Sequence, residues 1–326
     1  MGGCKYENSI NSLNGLTMGT SFSIKWKDNP ENENINVREI VGKTLSSINH
    51  AMSIYIDKSE ISQFNKLKMG EQLKPSADFL KLILLSKEIY DNSNGAFDIT
   101  IGKEIEKWGF GKNKKKPDNK KMLTKHTMQK HWNAFVYDKE KNSIYKKSDF
   151  LLDMNGIAKG FAVDKIAQQL EEKQIHHYMI EIGGEVKVKG EKSPNKPWII
   201  GIESPNEDKN KLSGKISSKE NRAISVASSG DYRNYWELDG DKYSHIINPR
   251  TGKPIGHKTV ATSVILENCA EADAWATAML VLGESEGLAI ANKLKIPVLF
   301  ISKDEKFKLN TVSNNLFKEY LNKESR

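Results

Sequence analysis

The chain has 326 residues, room for one large domain or two closely joined ones. Its 37% hydrophobic content supports a core, and no apolar run reaches the roughly 18 residues that a membrane-spanning helix needs. A net charge of +8, much of it from lysine, fits anionic partners or a merely solvated surface, while two cysteines exclude a disulfide scaffold and a zinc site.

In chain order, Leu16 to Trp26 starts with a turn and runs into an alternating strand. Val37 to Met52 carries Ile40, Val41, Leu45 and Ile48 at helical spacing and predicts an amphipathic helix. Ser53 to Asn65 leaves it through a polar turn, and Ser76 to Asp91 predicts a second helix. Gly95 to Gly111 interleaves glycines and aromatics around Asp98, the pattern of a packed turn or of a site. Lys112 to Lys121 is a charge run without interleaved aromatics, so a solvated loop is expected rather than a nucleic-acid site. Asn133 to Lys146 reads as a β-hairpin. Phe150 to Asp164 reads as strand, glycine turn and helix, the helix continuing to about Glu172. That layout offers backbone N–H groups to an anion, and Lys159 could meet a phosphate, although the Gly-Lys-Ser/Thr ending of a Walker loop is missing.

His177 to Lys189 predicts a strand broken at Gly183-Gly184, followed by strands at Trp198 to Ile202, Arg222 to Ser229 and Val260 to Leu266. Between them, Ser228 to Gly252 is unusually dense in polar side chains: Ser-Ser-Gly-Asp sets hydroxyls and a carboxylate in one turn, and His245 stands beside an apolar step before Asn-Pro-Arg-Thr-Gly. A core does not need that density. An Ala-rich helix opens at Glu271, with Asp273 and Thr277 on one face. The pair suits half of a hard-cation site, or else a carboxylate favoured by the helix dipole beside a buried threonine. A helix over Glu286 to Leu294, a strand over Ile296 to Ile301 and a polar C-terminal helix complete the pattern.

Taken in register, these blocks resemble the ApbE-type flavin transferases from Thr17 to about Gly283. The carriers are Met-Gly-Thr at 18–20, Ser-x-Tyr and Ser-Glu-Ile-x-x-x-Asn within 53–65, Gly-Ala-Phe-Asp at 95–98 and Trp-Gly-Phe-Gly at 108–111. Leu-Asp-x-x-Gly-Ile-Ala-Lys-Gly follows at 152–160, then Ile-Gly-Gly-Glu at 182–185 and Ser-Gly-Asp-Tyr at 229–232. His-Ile-Ile-x-Pro-x-Thr-Gly at 245–252 and Ala-Asp-Ala-x-Ala-Thr at 272–277 complete the set. Two positions depart from the pattern: Asn248 stands where Asp is usual, and Asn155 where a small residue is more frequent.

The resemblance implies an α+β fold, T-fold-related, of mixed sheets flanked by helices, with a flavin cleft between two intimately joined subdomains. Residues 1–15 would be a tether and 16–326 the flavin transferase domain. It implies Mg²⁺-dependent transfer of FMN from FAD to a Thr or Ser hydroxyl of an acceptor redox flavoprotein, with release of AMP. An FAD pyrophosphatase, or a flavin-binding protein without turnover, remains the alternative. The implied metal ligands are Asp273, Thr277 and the main chain at Gly156. Met18, Tyr55, Ala96, Phe97 and Asp98 would meet the flavin end, while Asp153, Lys159, Ser229, His245 and Ile246 line the rest of the FAD site. His245, read as proton carrier or pyrophosphate contact, and Asp273 would carry the chemistry. A structural histidine in a turn is the other reading of His245. Cys4, ahead of a polar stretch, resembles the start of a mature bacterial lipoprotein without its hydrophobic signal region. With the family's acceptors mostly membrane-linked, the expectation is an extracytoplasmic, lipid-anchored enzyme that touches the membrane only there; a cytosolic protein with an incidental cysteine is the other reading.

Overall fold

The computed structural model describes residues 10–27, 35–117, 131–205, 212–218, 222–232, 234–306 and 308–321. Its frame is one eight-stranded sheet whose strands follow one another in chain order. They are β1 (Ile10–Thr17), β2 (Thr20–Lys27), β3 (Tyr178–Ile182), β4 (Glu185–Lys189), β5 (Ile224–Gly230), β6 (Thr259–Leu266), β7 (Val298–Lys303) and β8 (Leu309–Ser313). Every pair in this sheet is antiparallel. Long insertions between successive strands carry helices and hairpins without disturbing that order.

Two hairpin turns set the register. Thr17 pairs with Thr20 across Met18 and Gly19, both at positive φ (50° and 74°). Ile182 pairs with Glu185 across Gly183 and Gly184, again both at positive φ. Two-residue loops of this twist match the strands they join, and glycine adopts them without steric cost. Met18 does not, and its left-handed backbone costs on the order of 1–3 kcal/mol.

The centre of the sheet is covered on both faces. On one side lie α1 (Val37–Met52), α3 (Ala77–Asn92), α5 (Ala158–Glu172) and α6 (Cys269–Leu294), sharing the largest core. On the other, the hairpin Ile199–Glu203 with Leu212–Ser217 brings Trp198, Ile200, Ile202 and Ile216 onto Val226, Ile265 and Ile301. The covering explains β6, where seven of eight residues are buried rather than alternating. A third, smaller core joins Trp108 and Phe110 to Leu238 and Ile247.

The boundaries of α1 and the end of α5 fall where the sequence reading puts them. Asn36 caps α1 through Glu39 N–H, and Val37, Val41, Leu45 and Ile48 form its buried stripe. Elsewhere the structure departs from the sequence reading. Residues 10–15, assigned to a tether, lie in β1, an edge strand held by its pairing with β2. A short helix α2 (Glu60–Lys66), capped by Ser59, replaces part of the polar turn, and another, α4 (Gly102–Lys107), lies within the Gly95 to Gly111 stretch. Phe150 to Leu152 is no strand: Leu151 makes one isolated bridge to Ile101. Ser228 to Gly230 finishes β5 instead of forming a turn. The helices expected at Glu271 and Glu286 are one helix, α6, kinked at Gly283 (φ 72°). The C-terminal helix shrinks to α7 (Asn315–Lys318) after β8, and residues 322–326, like Cys4 and part of the lysine run, lie outside the described residues.

Candidate functional site

One end of the sheet gathers the sequence blocks. The Met18–Gly19 and Gly183–Gly184 turns lie side by side there: Gly183 N–H donates to the Ser21 carbonyl (3.1 Å), and a Cβ on Gly183 would stand 2.7 Å from Thr20 Cγ2 and 3.3 Å from Lys159 Cδ. The first turns of α5 and α6 meet at the same place. Gly160 makes that possible, because any Cβ there would lie 2.2 Å from the Cys269 carbonyl oxygen. The close approach lets Gly160 N–H donate to Asp273 Oδ2 (3.0 Å).

Lys159 links the elements electrostatically. Its Nζ lies 3.1 Å from Glu185 Oε1 and 3.6 Å from Asp273 Oδ1, and both carboxylates are almost wholly buried. Burial works against the ammonium charge, but Asp273 and Glu185 together outweigh it and raise the pKa of Lys159. Burial also pushes Glu185 upward, against the pull of Lys159, with Asp273 adding to the rise. Glu185 Oε2 is buried without a hydrogen-bond partner. One ammonium thus serves two carboxyl groups, and burial favours the protonated form of Glu185.

Thr277, one helical turn beyond Asp273, bonds Ser229 Oγ through Oγ1 (3.1 Å). The Gly156 turn closes over it: a Cβ on Gly156 would sit 3.2 Å from both Thr277 Oγ1 and the Phe97 ring. Asp273, Thr277, Ser229, Lys159 and Gly156 are therefore brought together. Among the described residues no three His, Cys, Asp or Glu side chains form a metal cluster. The donors available are instead one carboxylate, one hydroxyl and a glycine main chain, all hard oxygens, a set that suits a small divalent cation sharing its coordination with phosphate and water.

Asp153 precedes this turn. Its carboxylate accepts from Asn155 N–H (2.9 Å) and Asn155 Nδ2 (3.0 Å), giving the departure at Asn155 a local role. Burial, opposed by those two bonds, raises the pKa of Asp153 to about 6. Asn65 holds the segment as a strand would, donating to Leu152 O (2.9 Å) and accepting from Leu152 N–H (2.7 Å). A cleft bordered by Ile54, Ser62, Asn65 and Asp153 opens beside it. Tyr55 is half exposed, and burial followed by the charge of Asp153 raises its pKa.

Ala96 and Phe97 have buried side chains, and Phe97 bridges their turn to Gly156. Asp98 Oδ1 accepts from Thr100 N–H (2.8 Å) and Oγ1 (2.7 Å); burial nevertheless lifts its pKa to about 6. Met18 is half-buried against the main core.

His245 lies on a loop bedded on the third core. Trp108 Nε1 donates to the Gly252 carbonyl (2.7 Å), Trp108 stacks on Tyr243, and the His245 ring meets Phe110 edge-on at 6.1 Å. Nδ1 lies 2.9 Å from the Asn234 carbonyl, which can only accept, so Nδ1 carries the proton and Nε2 keeps its lone pair in the neutral ring. Burial lowers the His245 pKa, the Asn234 bond opposes, and the charge of Lys159 lowers it further. That last influence places His245 within electrostatic reach of the Lys159 corner. Ile246 continues the loop, half-buried, with N–H bonded to Ser244 Oγ. Asn248 does what an aspartate would, its Oδ1 accepting from Arg250 N–H (2.9 Å). Glu185, Asn65, Asn155 and Arg250 were not among the residues picked from the sequence. All four stand inside the quoted blocks, Glu185 and Asn65 at fixed places and Asn155 and Arg250 at variable ones.

Comparison with known proteins shows what the chain is similar to. A FAD:protein FMN transferase from Vibrio cholerae is 34% identical over 329 residues, covering 99% of this chain and 96% of that protein. One from Haemophilus influenzae is 34% identical over 97% of this chain and 93% of its own length. The solved flavin transferase ApbE from Vibrio cholerae superposes with a TM-score of 0.85 at 32% identity, covering 96% of this chain and 99% of that one. The apo flavinyl transferase ApbE of Pseudomonas stutzeri gives 0.86 at 28% identity, covering 97% of this chain and 98% of its own. The ApbE family model matches residues 18–300, from the Met18 turn to β7, and the chain belongs to the ApbE family.

Proposed function

We propose that this chain is a FAD:protein FMN transferase that moves FMN from FAD to a Thr or Ser hydroxyl of an acceptor redox flavoprotein. The observation that carries the reading is the meeting of the Gly156 turn, the Asp273–Thr277 face of α6 and Lys159 at one end of the sheet. In this reaction the acceptor oxygen bonds to the FMN phosphorus, and the pyrophosphate P–O bond to AMP breaks. AMP leaves with the electron pair, and the hydroxyl proton passes to His245 Nε2. Such a transfer demands charge neutralisation, alignment and proton removal.

Asp273, Thr277 and the Gly156 carbonyl would hold a magnesium ion, which when bound supplies charge neutralisation at the two phosphates. Lys159 adds a fixed positive charge there, and Glu185 holds its ammonium in place. Ser229 orients the Thr277 hydroxyl. Tyr55 offers a ring face for flavin stacking at a partly exposed position, and Met18 and the Ala96–Asp98 turn meet the flavin end as well. Asp153 holds an adenosine hydroxyl or keeps its loop in position, and Ile246 lines the site behind His245. His245, neutral because its pKa is depressed, accepts the proton. Cys4 as a lipid anchor and an extracytoplasmic location belong to the same proposal.

The test is incubation with FAD, MgCl2 and a candidate acceptor, followed by intact-mass analysis and AMP quantitation. Acceptor heavier by one FMN, with matching AMP, supports the transferase. AMP and free FMN with unmodified acceptor indicate water as acceptor, and no AMP indicates binding without turnover; either result sinks the proposal for that acceptor.

A further inference from the structure

Arg250 has no part in the chemistry above, yet it joins the elements that do. Its guanidinium makes four hydrogen bonds. Nη1 and Nη2 grip Glu286 as a fork, at 2.8 and 2.9 Å. Nε donates to the Asn94 carbonyl (3.1 Å), and Nη2 also donates to the Ser93 carbonyl (3.2 Å).

The contacts reach two segments outside Arg250's own loop. Ser93 and Asn94 follow the last turn of α3, where helical carbonyls lack partners and the dipole favours a cation. Asn94 and Gly95 turn sharply at φ 53° and 79°, and Ser93 Oγ accepts from Phe97 N–H (3.1 Å). The two carbonyls and the Ala96–Asp98 segment are thus one tight turn. On its own side, Arg250 sits in a turn closed by Gly252 N–H to Asn248 O (2.8 Å), continuous with the His245 loop. Glu286 comes from the part of α6 beyond the Gly283 kink, while Asp273 and Thr277 stand before it.

We propose that Arg250 is a positioning residue that sets the spacing between the flavin-end turn at 96–98 and His245. The role rests on the transferase reading for its catalytic consequence, but the spacing is a property of the fold. The guanidinium makes these four bonds from a planar fork; lysine keeps the charge but has three donors on one nitrogen and cannot make all four. A small misplacement between bound phosphorus and proton acceptor costs much in rate and little in binding.

The experiment compares wild type, Arg250→Lys and Glu286→Gln as full chains. Glu286→Gln removes the charge while leaving the bonds to Ser93 and Asn94, and serves should the lysine variant fail to fold. Three quantities are read: kcat per FAD-binding site, FAD affinity by flavin fluorescence, and the His245 imidazole NMR signal in FAD-bound protein, assigned with His245→Ala. For Arg250→Lys the expected result is a kcat lower on the order of ten- to a hundredfold, FAD affinity within about threefold, and a displaced His245 signal. Glu286→Gln gives the same pattern at smaller amplitude. An unchanged kcat, a loss accounted for by weaker FAD binding, or an unmoved His245 signal overturns the proposal. If wild type itself transfers no FMN, the functional reading fails, and the His245 signal still decides the positioning role.

Discussion

Lys159 is poised between two carboxylates that water does not reach. Removing one member of a buried charged set leaves the others uncompensated, at a cost of about 3 kcal/mol or more. Lys159→Met is therefore expected to lower Tm strongly, and added Mg²⁺ to restore part of the loss, since a ligand bound only by the folded state stabilises it. Equal Mg²⁺ responses in variant and wild type would count against this corner as a cation site. His245 makes a second residue-scale case. Held neutral by burial, it should set an acid limb of the rate profile below the ordinary histidine value of 6.5. His245→Ala should keep FAD binding and cut transfer at least roughly tenfold; near-normal transfer removes the proton role. Asp153 gives a stability test. Its pKa is raised from 3.8 in the unfolded chain to about 6 in the fold. The group's contribution is thus full below about pH 3.8 and is lost as pH rises through about 6. Asp153→Asn should flatten the pH dependence of Tm across that window, and an unchanged profile refutes the burial assigned to it. None of these three electrostatic states could be read from the sequence, because each depends on how deeply the fold buries the group and on the partners left to it there.

At the scale of elements, the decisive contact is between the first turns of α5 and α6. Gly160 is there because two backbones must nearly touch: the missing Cβ would collide with a carbonyl oxygen, which cannot rotate away as a side chain could. Gly160→Ala should destabilise by roughly 1–3 kcal/mol, as overpacking does, and disturb the Asp273 bond. Denaturant unfolding measures the first, and wild-type-like stability would show that the helices can part freely. Long periodic elements were legible beforehand. Val37–Met52 declares itself by its apolar stripe, and Asp138–Asn142 by its turn composition. Short elements were not. The helix Glu60–Lys66 and the strand Leu309–Ser313 are too brief for a period to show, and tertiary pairing decides them. The two helix segments of α6 looked separate because Gly283 interrupts the pattern, although packing carries the helix through the kink.

Across the whole molecule, strands adjacent in sequence stay adjacent in the sheet, however long the insertion between them. That order brings two tight turns, the end of β5 and two helix openings to one edge, so blocks scattered over most of the chain become a single site. The sequence by itself determined the family, the residue types at that edge and the glycines that permit close approach, since these depend on local chemistry and chain order. Only the tertiary structure decided that Glu185 shares Lys159 with Asp273, that Asn65 props Leu152, and that Arg250 spans three segments. The physical reason is that a hydrogen bond or ion pair between residues far apart in the chain leaves no periodic trace in either. It exists only once the fold has brought the two partners together.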